Sequence, residues 1–181
     1  SIDDGTRHIE LEPVVGDAAT VAEQRDGYDL LVGAALLDLL DLAAVETTLT
    51  ALAPGGLFYF PIIFDGATRF LPAHPADRAV ERHYHDHMDA KPGGRSRAGG
   101  EILTWLQERE GISADAAGSD WVVTPDEGAY PGDEAFFLRY ILGTVEEAVT
   151  EITAGEFDAL DDWLARRRAQ VDAGELCYLT H

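Results

Sequence analysis

An open α/β fold is what the sequence predicts, on three observations. Short apolar runs alternate with stretches of helical periodicity, Gly and Pro bound the runs, and one run is rich in aromatic and β-branched residues. Val14-Val15 ends a first strand, closed by Gly16-Asp17-Ala18. Tyr28 to Val32, between Gly27 and Gly33, is a compact apolar run of the kind buried on both faces. From Ala35 to Leu52, Ala44, Val45, Leu49 and Leu52 recur at helical spacing until Pro54-Gly55-Gly56 stops them. Leu57 to Phe64 follows as a long strand, with Pro61 marking a bulge or its end.

Asp65 to Arg69 reads as a loop, and the helix after it contains Glu81-Arg82-His83-Tyr84-His85-Asp86-His87-Met88-Asp89. Lys91 to Gly94 breaks that helix, and Ser96 is placed to cap another, with Ile102, Leu103 and Leu106 as its buried stripe and Gly111 as its end. Trp121 to Val123 is a further strand. Between Asp133 and Ile152, Phe137, Tyr140, Ile141, Val145, Ala148, Val149 and Ile152 follow one helical face, and a second helix runs from about Phe157 to Val171. Gly174 ends it, and Leu176 to Thr180 closes the chain as a strand.

Length and composition support one domain over residues 1–181. The single Cys rules out an internal disulfide framework, and Cys177 within Leu176-Cys177-Tyr178-Leu179 reads as a small buried hydrophobe. No run is long and apolar enough for a membrane span, and the N-terminal residues lack the features of a signal peptide, so a cytoplasmic location is expected.

Acidic residues number 34 against 13 basic ones, a formal net charge of −21, with Lys91 the only lysine. That balance repels phosphate backbones and anionic membranes, so neither nucleic acid nor a membrane is an expected partner. The acids are spread along the chain rather than gathered in a tail. Such a surface suits concentrated salt, where cations screen its self-repulsion, and it resembles the halophilic proteins of salt-accumulating haloarchaea. Arg166-Arg167-Arg168 is too short for a nucleic-acid patch and reads as a solvated, salt-bridged helix face.

Three segments in order, Val14-Val15-Gly16-Asp17-Ala18, Tyr28-Asp29-Leu30-Leu31-Val32 and Leu52-Ala53-Pro54-Gly55-Gly56-Leu57-Phe58, resemble the third strand, fourth strand and helix-to-fifth-strand turn of class I S-adenosylmethionine-dependent methyltransferases. The resemblance implies an open Rossmann-like methyltransferase sheet, mostly parallel, with a last strand inserted antiparallel beside the fifth. The helices between about 133 and 174 would then be an insertion or substrate cover. The family's Gly-rich turn after its first strand, where backbone N–H groups approach the cofactor, has no counterpart before Gly16. Gly93-Gly94 and Gly99-Gly100 follow a helix rather than a strand and do not replace it. The N-terminal strands are therefore expected to be missing, which would bare an apolar edge at Tyr28 to Val32 and invite homo-oligomer formation.

The resemblance implies S-adenosylmethionine as cofactor, with Asp17 and Ala18 against its adenine and Gly33 and Ala34 allowing close approach. Methyl transfer to a small-molecule acceptor is the activity it implies. The rival readings are a non-catalytic binding or assembly module that kept the fold, and a nicotinamide-dependent oxidoreductase, which would also need a Gly-rich first turn.

Three of the six histidines fall within five residues, at 83, 85 and 87. On a helix, successive residues turn by about 100°, so His83, Tyr84 and His87 share a face that His85 leaves. The three cannot converge on one metal, and no third ligand joins His83 and His87, so no metal site is expected. His83, Tyr84 and His87 are candidates to orient an acceptor or remove its proton, against the plainer reading of a packed helix face. Asp65 and Arg69 are candidates to contact a polar or carboxylate-bearing acceptor, and Trp121 and Tyr130 to cover an apolar one.

Overall fold

Tyr28 to Val32 (β3) and Leu52 to Tyr59 (β4) pair in parallel, an arrangement that needs a crossover connection such as the helical segment between them. The computed structural model describes residues 1–61 and 63–181. The chain packs as two compact units, residues 1–32 with 43–59, and residues 33–42 with 60–181.

In the first unit Ile2–Asp3 (β1) and His8–Ile9 (β2) form a small antiparallel hairpin. Its turn is organised by Asp4, whose carboxylate accepts from Thr6 N and Oγ1 and from Arg7 N at 2.6 to 2.9 Å. Residues 10–16 adopt no regular structure, so the strand expected at Val14-Val15 is not formed. Val15 is fully exposed, and a strand without a neighbour has nothing to saturate its backbone. Asp17 instead caps the helix Ala18–Glu23 (α1), accepting from Thr20 N at 3.0 Å.

The parallel pair is irregular at one place. Tyr28 opposes Leu52 while Leu30 opposes Leu57, so β4 carries the surplus residues as a bulge containing Pro54-Gly55-Gly56. Gly55 sits at φ +81°, and a Cβ on Gly56 would lie 2.9 Å from the Tyr28 carbonyl oxygen. The Pro-Gly-Gly segment thus lies inside a strand rather than ahead of one. The helix expected over Ala35 to Leu52 is split into a 3-10 turn at Leu37–Leu39 and a shorter helix at Leu42–Leu49 (α2), because Leu40 between them is extended. The strand expected to reach Phe64 ends at Tyr59, and Ile62 of that run lies outside the described residues. The expectation that Tyr28 to Val32 is buried on both faces fails: Leu30 and Val32 are 53% and 61% exposed. Their register partners Leu57 and Tyr59 are exposed with them.

The second unit is built on Thr68–Leu71 (β5), Trp121–Val123 (β6) and Cys177–Thr180 (β7), an antiparallel sheet in the order β5-β7-β6. The closing strand is antiparallel, as expected, but its neighbours are β5 and β6 rather than the strand after Pro54-Gly55-Gly56. Thr68 and Arg69, read as the end of a loop, instead begin the strand 68–71, in which Thr68 and Phe70 are buried while Arg69 and Leu71 are exposed. Cys177 at the start of β7 is half-buried.

The helices of this unit are Asp77–Asp89 (α3), Ala98–Gln107 (α4), Glu134–Ile152 (α5) and Ala159–Asp172 (α6). Leu138, Leu142, Val145 and Val149 recur every three to four residues along α5, and all four have no exposed surface. They pack with Trp163 and Leu164 of α6, Val80 of α3 and Phe70 and Tyr178 of the sheet. The two helices read as an insertion therefore supply most of this unit's core. Arg167, read as part of a solvated face, is wholly buried; Arg168 does make a surface ion pair, with Glu146. Among the described residues no helix is long and apolar enough to cross a membrane.

Candidate functional site

The second unit contains an open cleft of about 720 Å³ walled by one face of α3, by Gly66 and Arg69, by residues 94–97, and by Glu101 of α4. Arg78, Glu81, Arg82, His85, Asp86 and Asp89 reach it from α3, since positions three and four apart stack along one side of a helix. The opposite side faces the core. Val80 and His87 are buried there, and Tyr84 packs against the apolar cluster.

Fixed hydrogen bonds hold the walls. Ser96 does not cap α4; its N and Oγ donate to Asp89 at 2.6 and 3.1 Å and tie the segment after α3 back to that helix's end. Asp65 serves the N-terminus of α4 instead, accepting from Gly100 N at 3.0 Å. A Cβ on Gly99 would lie 3.0 Å from Asp65, so the missing side chain of Gly99 is what lets this carboxylate approach. Arg95 donates through Nη2 to the carbonyls of Leu37 and Leu40, and its Nε is 4.0 Å from Glu101.

Charge in the cleft is unevenly answered. Glu81 accepts from Thr68 N at 3.3 Å and Asp89 is occupied by Ser96, while Asp86 lies 3.9 Å from His83 Nδ1. Arg69, Arg78, Arg82 and Arg97 form no ion pair or side-chain hydrogen bond among the described residues. His85 packs edge-on to Phe64 with ring centroids 5.5 Å apart, and its Nε2 is buried without a hydrogen-bond partner. Burial pushes the His85 imidazole below its usual range, against the opposing pull of Glu81 and Asp89.

Of the residues expected to act, Arg69 lines this cleft and Asp65 braces its rim. His83, Tyr84 and His87 share a face, as helical phase requires, and it is the face away from the cleft. His87 Nε2 lies 2.9 Å from Glu151 Oε2 of α5, and the His83 ring packs on Phe157 at 5.0 Å. Burial pushes the Tyr84 hydroxyl up to about 12. Trp121 and Tyr130 lie elsewhere in the unit: the exposed Trp121 ring stacks on Phe137, and Tyr130 Oη donates to the Leu176 carbonyl at 2.8 Å. Among the described residues no three His, Cys, Asp or Glu side chains gather as metal ligands would.

Asp17 is exposed, with Oδ1 taken by the Thr20 amide, whose hydrogen bond holds its carboxyl below the usual range. Ala18 begins α1. Gly33 is buried, and a Cβ there would lie 3.0 Å from both Leu36 and Phe60, so its missing side chain is accounted for by that packing. Ala34 is exposed.

The residues that sequence reasoning missed are Arg78, Arg82, His85, Arg95, Ser96 and Arg97. A signal existed: five of the chain's twelve arginines fall between positions 69 and 97, and Arg78 and Arg82 have same-face helical spacing. Compared with known proteins, the chain matches no family model and no curated sequence.

Proposed function

We propose that the chain is part of a class I methyltransferase-like domain that transfers the methyl group of S-adenosylmethionine to a small-molecule acceptor. The observation that carries this reading is the parallel pairing of β3 with β4 through α2, in two of the three segments that bear the resemblance. A βαβ crossover of this kind is the unit from which open Rossmann-like sheets are built, with ligands collecting outside the carboxyl ends of the strands. Asp17 and Ala34 remain accessible to a cofactor, whereas Gly33 is closed over by Phe60. When bound, the cofactor supplies an activated methyl group, so the protein's task is alignment and the exclusion of water. A general base among His83, Tyr84 and His87 is the weakest part of the reading, since they face the core.

The second reading is a non-catalytic binding or assembly module. It is favoured by the two-stranded parallel sheet, whose Leu30, Val32, Leu57 and Tyr59 are exposed where parallel sheets are ordinarily covered. Association with a further copy of the chain would cover them. Nucleic acid and membranes remain poor partners for a net charge of −21.

Two substitutions separate the readings. Asp17→Ala and Ala34→Leu should each weaken S-adenosylhomocysteine binding about 10-fold under the first reading, measured against unchanged melting of α5 and α6. Unaltered affinity in both would remove the cofactor assignment and leave the module.

A further inference from the structure

We propose that the cleft bounded by α3, β5 and α4 binds a small molecule carrying two or more phosphate or carboxylate groups, held by Arg69, Arg78, Arg82 and Arg97. The proposal stands apart from methyl transfer and uses none of its residues other than Arg69, an expected acceptor contact.

The argument starts from scarcity. The chain has 34 carboxylates and 13 basic side chains, so any arginine finds acids nearby, and several elsewhere are paired: Arg25 with Glu12, Arg139 with Asp172, Arg168 with Glu146. Four arginines without a carboxylate partner among the described residues thus meet in one cleft, whereas Arg7 and Arg166, also in that condition, do not line it. Three separate pieces of chain deliver them: β5, α3 and the segment before α4. The cleft's acids keep their charge but none contacts these four arginines, because Glu81 and Asp89 accept from Thr68 and Ser96, and Glu101 lies by Arg95. Asp86, the remaining acid of the wall, lies by His83. On the same wall, His85 Nε2 is buried without a hydrogen-bond partner among the described residues.

Guanidinium groups suit this ligand class because each offers a planar fork that matches the two oxygens of a carboxylate or phosphate. In molar salt the screening length falls to about 3 Å, which removes long-range attraction but leaves such direct contacts in place. A ligand with several anionic groups gains from several forks at once, whereas chloride or acetate engages one. A nucleic-acid strand is disfavoured by the acidic surface around the cleft.

The test is calorimetric titration of pyrophosphate, citrate and acetate into the full chain in molar potassium chloride. Arg78→Gln and Arg82→Gln serve as cleft variants, and Arg166→Gln, exposed on α6, as the control. We expect one-to-one binding in which pyrophosphate or citrate exceeds acetate at least about 10-fold, each cleft substitution weakening it about 10-fold and the control leaving it unchanged. Tighter pyrophosphate assigns phosphate esters, and tighter citrate assigns polycarboxylates. Equal affinity for acetate, an equal loss in Arg166→Gln, or competition by a short DNA duplex would overturn the proposal.

Discussion

Arg167 shows how a single side chain organises the second unit. Its guanidinium has no exposed surface; Nη1 and Nη2 are hydrogen-bonded, while Nε is buried without a partner among the described residues. It donates to the Pro72 carbonyl at 2.6 Å, to Gln170 Oε1 at 2.8 Å and to Asp77 Oδ1, which also accepts from Trp163 Nε1. The rings of Phe70 and Trp163 lie 5.7 and 5.6 Å from its central carbon. Removing one partner of such a pair leaves an uncompensated charge, so Asp77→Ala should cost about 3 to 5 kcal/mol in urea denaturation. Asp158→Ala, at an exposed cap without a side-chain hydrogen bond, should stay within about 0.5 kcal/mol. The same carboxylate sets an acid limit. Burial alone would raise its pKa, but the bonds from Arg167, Trp163 and the His74 amide win and hold it below the usual carboxylate range. A depressed folded value means that the contribution is complete above about pH 4 and disappears as pH falls through the folded value. Denaturation of wild type and Asp77→Ala should therefore converge in acid; a gap that persists at low pH would show that the pair acts through packing instead.

At the scale of elements, the two sheets carry opposite lessons. The β5-β7-β6 sheet packs one face on α5 and α6, and Leu142→Ala within α5 should lose about 2 to 5 kcal/mol, because the cavity it leaves is walled on every side. The β3–β4 pair leaves Leu57 and its cross-strand partner Leu30 in solvent. Leu57→Lys should change stability by less than about 0.5 kcal/mol while reducing self-association in sedimentation velocity. A loss of several kcal/mol would mean that Leu57 is covered in solution. Helical periodicity made α5 and α6 legible in the sequence, while α3 was legible from its run of charged residues without β-branched neighbours. The strand at 68–71 was not legible: a short run between Gly66 and Pro72 resembles a loop until β7, more than a hundred residues later, supplies its partner. The long helix expected before Leu52 failed at Leu40, where an extended residue interrupts an apolar pattern that continues on both sides.

At the scale of the molecule, a net charge of −21 was the plainest sequence signal, and it drew attention away from the few positive groups. Helical phase correctly parted His85 from His83 and His87, but which of the two faces borders a cleft depends on how β5 and the turn before α4 fold against α3, which periodicity does not show. The arginines are close in sequence, but that they share one cleft became visible only once those pieces were set beside one another. The functional reading rests on the crossover from β3 to β4 and on the resemblance of its two strands. Titration of S-adenosylhomocysteine into the chain in molar potassium chloride tests it most directly. The account predicts saturable one-to-one binding; no binding would contradict it and leave a fold that positions its strands for something other than methyl transfer.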